Sequence, residues 1–161
     1  GDMVCIIGGG GKSGILCCYQ AMQNVGPSGK VIVVEFSEEN ARRVRDMQLA
    51  TDVIVADATN VMDVYHKVMA ITGGRGCDVT VNNVNVQSTE MTSILITKGQ
   101  GYVYFFSMAT SFTKAALGAE GVGKDINLIV GNGYAKGHAN LTLNIIRESK
   151  AIRELFERLY V

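Results

Sequence analysis

The residues best placed for chemistry are four consecutive glycines, Gly8–Gly11, followed by Lys12, Ser13 and Gly14, with an acidic residue further on at Glu35. Gly9, Gly11 and Gly14 fit G-x-G-x-x-G, and each glycine of that pattern answers a separate physical need. One makes a tight turn. The next removes a side chain, so that backbone N–H groups can approach a pyrophosphate. The last lets a following helix lie close to the strand before it. The free N–H groups and partial positive charge of the helix N-terminus then face the phosphates. Four glycines in a row leave the register open by one residue.

The turn follows the apolar run Val4–Ile7 and opens a helical pattern, and a second run, Val31–Val34, ends at Glu35. Glu35 lies about twenty positions after the turn, the spacing of a carboxylate that accepts hydrogen bonds from the adenosine ribose hydroxyls. Such a carboxylate repels a 2′-phosphate, and Phe36 stands where an arginine would favour NADP. The expected cofactor is therefore NAD. Gly11-Lys12-Ser13 also matches the end of a P-loop, but that motif requires a glycine where Ile6 stands. Asp57 is the one carboxylate that keeps a phosphotransferase in view. In a dinucleotide site Lys12 would supply charge near phosphate, and Ser13 a hydrogen-bond donor.

These groups need a scaffold. Further apolar runs at Val53–Val55, Val79–Val81, Tyr102–Phe106 and Ile126–Val130 alternate with helical patterns. Several are rich in β-branched residues and lack in–out alternation, as expected of strands buried on both faces of a parallel sheet. Ser13–Val25 reads as a helix stopped by Gly26-Pro27. Ser37 is a fitting N-cap, with Glu38 and Glu39 in the first turn. Asn60–Ile71 carries Val61, Val64, Val68 and Ile71 on one side and stops at Gly73-Gly74. A short helical piece is expected near Thr113–Ala119. Beyond Gly133 the chain reads as helical to its end, with Ile152, Leu155, Phe156 and Leu159 on one face. The fold class is α/β: a Rossmann-type doubly wound parallel sheet of about six strands, with helices on both faces and right-handed crossovers. One proline and no polar linker suggest one domain over residues 1–161.

In such sheets ligands sit beyond the carboxyl ends of the strands. Asp57 and Ala58 would border the adenine, Asn82 and Asn83 the nicotinamide ribose, and Ser107, Met108 and the stretch Gly131-Asn132-Gly133 the nicotinamide. A capped loop is the competing reading at each. His66 reads as a surface helix residue, and His138 as a helix start or solvent-facing group. No Ser-His-Asp set and no metal-ligand cluster is legible, so no catalytic group and no metal are assigned.

Apolar residues make up 47% of the chain and charged ones 19%, and 15 Lys plus Arg balance 15 Asp plus Glu. A composition this apolar implies a buried core. The absence of a basic run argues against nucleic acid as partner, and no apolar run reaches the roughly 18 residues that cross a bilayer. Cys5, Cys17, Cys18 and Cys77 show no metal spacing and read as reduced thiols of a cytoplasmic protein. The abrupt Gly1-Asp2-Met3 start, entering an apolar run at once, reads as a cut end.

The Ile7–Gly14 turn with Glu35-Phe36-Ser37 resembles the cofactor half of medium-chain dehydrogenases, the zinc-independent branch above all. The Gly-Gly-Lys-Ser-Gly turn and Phe105-Phe106-Ser107-Met108-Ala109-Thr110 resemble, within that branch, the amino-acid dehydrogenases of lysine fermentation. The resemblance implies an NAD-dependent oxidative deamination of a 3,5-diamino acid to a 5-amino-3-oxo acid. It also implies an upstream catalytic domain holding most substrate groups, little turnover by this chain alone, and a homodimer formed through the last strand. A regulatory module that senses NAD(H) without catalysis is the reading from another class.

Overall fold

The computed structural model describes residues 1–131 and 133–161. The expected nicotinamide-side position Asn132 lies outside the described residues. The chain alternates strands and helices: β1 Met3–Ile7, α1 Lys12–Asn24, β2 Lys30–Glu35, α2 Glu38–Asp46, β3 Asp52–Val55, α3 Val61–Thr72, β4 Cys77–Asn82, α4 Glu90–Ile96, β5 Thr97–Phe105, α5 Phe112–Gly121, β6 Asn127–Val130, α6 His138–Glu148 and α7 Lys150–Tyr160. The strands pair in the order β3-β2-β1-β4-β5-β6, every pair parallel. The order in which the chain adds strands thus reverses between β1 and β4. That reversal opens a crevice at the carboxyl ends of the two central strands, the switch point where dinucleotides bind in this strand order.

The apolar runs explain the layers. On β1, Ile6 joins Val31 and Val33 of β2 under α1, α2, α6 and α7, through Ile15, Cys18, Val44, Ile145, Ile152 and Leu155. Cys5 and Ile7 point the other way and meet Ile32, Val34, Ile54 and α3 residues Val64 and Val68. The central strands are therefore buried on both faces, as expected. The expectation does not extend to the far side of the sheet. Val103 and Phe105 of β5 pack on Ala115 of α5, whereas Tyr102, Phe106 and Ile129 remain exposed on the opposite face. Edge strand β6 is half-exposed.

Caps fall largely where side-chain chemistry puts them. Ser37 accepts from the Asn40 amide and Asn60 from the Asp63 amide, while Gly73 ends α3 in the left-handed conformation. Three expectations need correction. Helix α4 has no counterpart in the sequence reading, because Glu90, Thr92, Ser93, Ile94 and Ile96 are all buried and no amphipathic stripe survives. Strand β5 begins at Thr97 rather than Tyr102, after a register shift against β4. The helical end breaks at Ser149, which caps α7 by accepting from Ile152, and Leu159 is exposed rather than core. Among the described residues no helix is long and apolar enough to cross a membrane, and all four cysteines are free thiols.

One carboxylate ties the amino ends of the central strands together. Asp78 on β4 accepts from the Met3 amide of β1 at 2.7 Å and pairs with Arg75 and Lys98. Partial burial works against its charge, but Lys98, the Met3 amide and Arg75 outweigh it and hold the carboxyl at about 2, below its ordinary 3.8. A depressed acid stabilises the fold fully above its unfolded pKa and loses that contribution as pH falls through the folded value. Urea midpoints should therefore fall between about pH 5 and about pH 2. Asp78→Asn should be less stable at neutral pH and show a flatter acid limb; an unchanged limb would remove Asp78 from this role.

Candidate functional site

Three of the four consecutive glycines are required by backbone conformation or packing, and the fourth is not. Gly8 leaves β1 with φ +82°, a left-handed conformation that favours glycine. A Cβ on Gly9 would stand 2.7 Å from Val33, one on Gly10 2.7 Å from Asn40, and one on Gly14 2.0 Å from the Gly8 carbonyl oxygen. Gly11 differs: its Cβ would meet nothing nearer than Gly8 O at 3.8 Å. Gly9 and Gly14 allow strand and helix to touch, and Gly11 keeps the surface above the turn clear.

Gly11 is also the N-cap of α1 and offers no side chain to it. The first-turn amides of any helix lack intrahelical partners. At α1 these belong to Lys12, Ser13 and Gly14, so the turn presents donors and the positive end of the helix dipole toward the crevice. The Lys12 ammonium lies 4.1 Å from the ring centroid of Tyr160 on α7, resting on an aromatic face beside the turn.

Glu35 is buried at the end of β2, and its carboxylate accepts the Gly10 amide at 2.6 Å. A hydrogen bond to a charged acceptor is worth about 1.5–3 kcal/mol net, enough to hold the turn against the strand end. From the other side Arg43 of α2 donates to the Gly10 carbonyl at 2.9 Å and to the Asn40 side chain at 3.0 Å, and it pairs with Glu39. Gly10 is thus gripped through both its N–H and its C=O.

Beside Glu35 lies a cleft of about 310 Å³, lined by Ile7, Val34, Phe36, Ala58, Val84 and Val86 among others. Phe36 is exposed at its lip. Asp57 also borders it, but its carboxylate is turned onto the Thr59 hydroxyl and amide, which hold its pKa low. A larger cleft, about 470 Å³, lies at the opposite, amino end of β4 and β5. Its cations are already engaged: Arg75 and Lys98 by Asp78, Lys124 by the Ile94 and Leu95 carbonyls.

The structure gathers Gly9, Gly11, Lys12, Ser13, Gly14, Glu35, Phe36, Asp57 and Ala58 around the turn and its cleft. It separates the two asparagines. Asn82 is buried, donating to Thr89 and Ser93 and accepting from the Val84 amide, so its side chain is spent inside the protein. Asn83 carries a buried amide nitrogen for which no acceptor meets hydrogen-bond geometry; its side chain is still near enough to the Cys17 thiol to oppose, in part, the rise that burial gives that group. Ser107 caps its own loop through the Ala109 amide, and Met108 stands exposed. His138 starts α6, with Nδ1 2.7 Å from Ala135 O, and His66 is exposed. Sequence reasoning missed Arg43, Val84 and Val86. Arg43 left a faint trace, a cation beside the buried stripe of Ala41 and Val44, whereas the two valines reach the cleft only through the path of the loop after β4. Among the described residues no cluster could hold a metal ion.

Comparison with known proteins agrees with this geometry. The chain is 51% identical over all 161 residues to L-erythro-3,5-diaminohexanoate dehydrogenase of Acetoanaerobium sticklandii, and 50% identical over 158 residues to that of Fusobacterium nucleatum. It spans about half the length of these relatives, 47% and 46%. No family model matches it. Among solved structures, AibC superposes with a TM-score of 0.75 at 19% identity, covering 95% of this chain and 40% of its own. A mycobacterial protein complexed with NADPH superposes at 0.71, also with 19% identity, covering 94% of this chain and 47% of its own. These structural likenesses establish the α/β Rossmann-type fold, and the sequence similarity to the two dehydrogenases runs over nearly the whole chain.

Two substitutions separate packing from ligand approach. Gly14→Ala should cost about 1–3 kcal/mol of stability in urea unfolding, the range for forcing an atom into a filled site. Gly11→Ala should leave the unfolding midpoint nearly unchanged and weaken dinucleotide binding roughly tenfold or more in calorimetry. Equal destabilisation by both would mean that Gly11 serves packing as well.

Proposed function

We propose that this chain binds NAD and forms the cofactor half of a dehydrogenase that oxidatively deaminates a 3,5-diamino acid. The observation that carries the cofactor reading is the buried Glu35 carboxylate, set beside the open N-terminus of α1 and the apolar cleft. The amides of the glycine turn and α1 would hold the pyrophosphate. Glu35 would accept from the adenosine ribose hydroxyls with lone pairs not used by Gly10. Phe36, Ala58, Val84 and Val86 offer the apolar walls that an adenine ring requires. The unpartnered Asn83 amide would donate to the nicotinamide ribose or its phosphate. Bound dinucleotide supplies the hydride acceptor, and the protein contributes orientation and a dry surface.

The preference for NAD follows from charge. A 2′-phosphate would meet the Glu35 carboxylate at the strand end. The guanidinium beside the turn, that of Arg43, is committed to Gly10, Asn40 and Glu39. The substrate class rests on the two relatives at 51% and 50% identity. A small amino-acid substrate, a role in amino-acid fermentation and a homodimer paired through β6 belong to the same proposal. The exposed Ile129 on that edge strand supports the last, since an apolar edge is usually covered.

Parallel calorimetric titrations with NADH, NADPH and Mg-ATP test the reading. NADH should bind well ahead of both others. Glu35→Ala should weaken NADH roughly tenfold and narrow the gap to NADPH. Binding of Mg-ATP alone would overturn the dinucleotide reading, and an unchanged NADH-to-NADPH ratio in the variant would remove Glu35 from ribose recognition.

A further inference from the structure

Glu90 is a carboxylate almost entirely withdrawn from water, 2% exposed, that the function proposed above does not use. It stands in the first turn of α4, directly after the loop that leaves β4. Its Oε1 accepts the backbone N–H of Ser111 at 2.7 Å. Ser111 belongs to the loop that leaves β5, and is itself the N-cap of α5, accepting from the Lys114 amide. A buried charge is tolerated only where it is well hydrogen-bonded, so this contact is a strong constraint on where the second loop can go.

Two further links join the same loops. The Ser107 hydroxyl donates to Asn85 Oδ1 at 3.3 Å, and the Lys114 ammonium donates to the Ser88 hydroxyl at 2.9 Å. Both of these are exposed and open to competition from water, so they are the weaker contacts. Asn82 fixes the base of the first loop by donating to Thr89, whose hydroxyl in turn donates to the Val86 carbonyl. The loops after β4 and β5 are therefore one unit, with Glu90 as its buried link. They lie at the carboxyl edge on the β4–β5 side of the switch point; the loop after β4 also lends Val84 and Val86 to the apolar cleft beside Glu35, whereas the loop after β5, which Glu90 holds, lines none of it.

We propose that Glu90 is a positioning residue that fixes the paired loops as the wall of the nicotinamide end of the site. The inference rests on the dinucleotide reading and goes beyond it by assigning the second half of the ligand to a particular buried contact. Removing the carboxylate frees the Ser107–Ser111 loop without disturbing the glycine turn, Glu35 or the apolar cleft. The two halves of the dinucleotide should therefore respond differently.

The test compares NADH with ADP-ribose, which lacks the nicotinamide, on the unaltered chain, Glu90→Ala and Glu90→Gln. Glu90→Ala should weaken NADH roughly tenfold and leave ADP-ribose within about twofold. Glu90→Gln retains an acceptor oxygen for Ser111 and should recover most of the NADH affinity. Hydrogen exchange should show the Ser111 amide losing protection in Glu90→Ala and keeping it in Glu90→Gln. Intact ADP-ribose binding in Glu90→Ala shows that the chain still folds. NADH affinity unchanged in Glu90→Ala, or both ligands weakened alike, would overturn the inference alone. Failure of both ligands to bind the unaltered chain would overturn the dinucleotide reading together with it.

Discussion

The contact on which the rest depends is the one between Gly14 and the backbone of Gly8 and Gly9, where no room exists for a single added carbon. That approach sets the position of α1 relative to β1. It brings Ile15 and Cys18 onto the sheet beside Ile6 and Val33, and it leaves the first turn of α1 at the switch point between β1 and β4. A side chain at Gly14 would lift the helix and move its free amides away from the crevice. Core packing and ligand geometry are therefore coupled through one position, and the glycine that clears the ligand surface, Gly11, is a different one.

Charge then holds what packing has placed. Gly10 is bound through its amide by Glu35 and through its carbonyl by Arg43, so a flexible tetraglycine is kept in one conformation by two groups of opposite sign from β2 and α2. In the proposed NAD reading Glu35 would set a negative centre at the ribose position, while Arg43 has its donors turned toward Gly10, Asn40 and Glu39. A surface arginine in its place would be free to swing toward a 2′-phosphate.

The carboxyl edge has two differently built halves. Around β1, β2 and β3 the walls are strand ends and glycine backbone over core on both faces, closed on one side by Val84 and Val86 of the loop after β4. Around β4 and β5 they are loops joined by Glu90, Asn82 and their hydroxyl partners. The sheet beneath follows the same division, since its outer strands carry exposed Tyr102, Phe106 and Ile129 where the inner strands are covered. A site with one rigid half and one tethered half suits a ligand that must be held firmly at one end and aligned at the other.

Much of this was legible in the sequence because it is local. The β-branched runs, the glycine spacing, the Ser37 and Asn60 caps and the acid closing β2 act within a few residues of themselves. Helix α4 was not legible, because burial on every side erases the period that marks a surface helix. Nor could the sequence tell Asn82 from its neighbour Asn83. Asn82 ends β4 while Asn83 begins the loop beyond it, so one amide is consumed by Thr89 and Ser93 while the other meets no acceptor in hydrogen-bond geometry. The roles of Arg43 and Glu90 likewise depend on contacts spanning Gly10 to Arg43 and Glu90 to Ser111. What the sequence determined by itself is the parallel α/β frame and a tight glycine-rich turn with an acid at the next strand end, since hydrophobic period and glycine geometry are properties of short segments. What only the tertiary structure decided is which polar groups stay open at the strand ends and which are spent inside, because a hydrogen bond between distant segments exists only once the chain has brought them together.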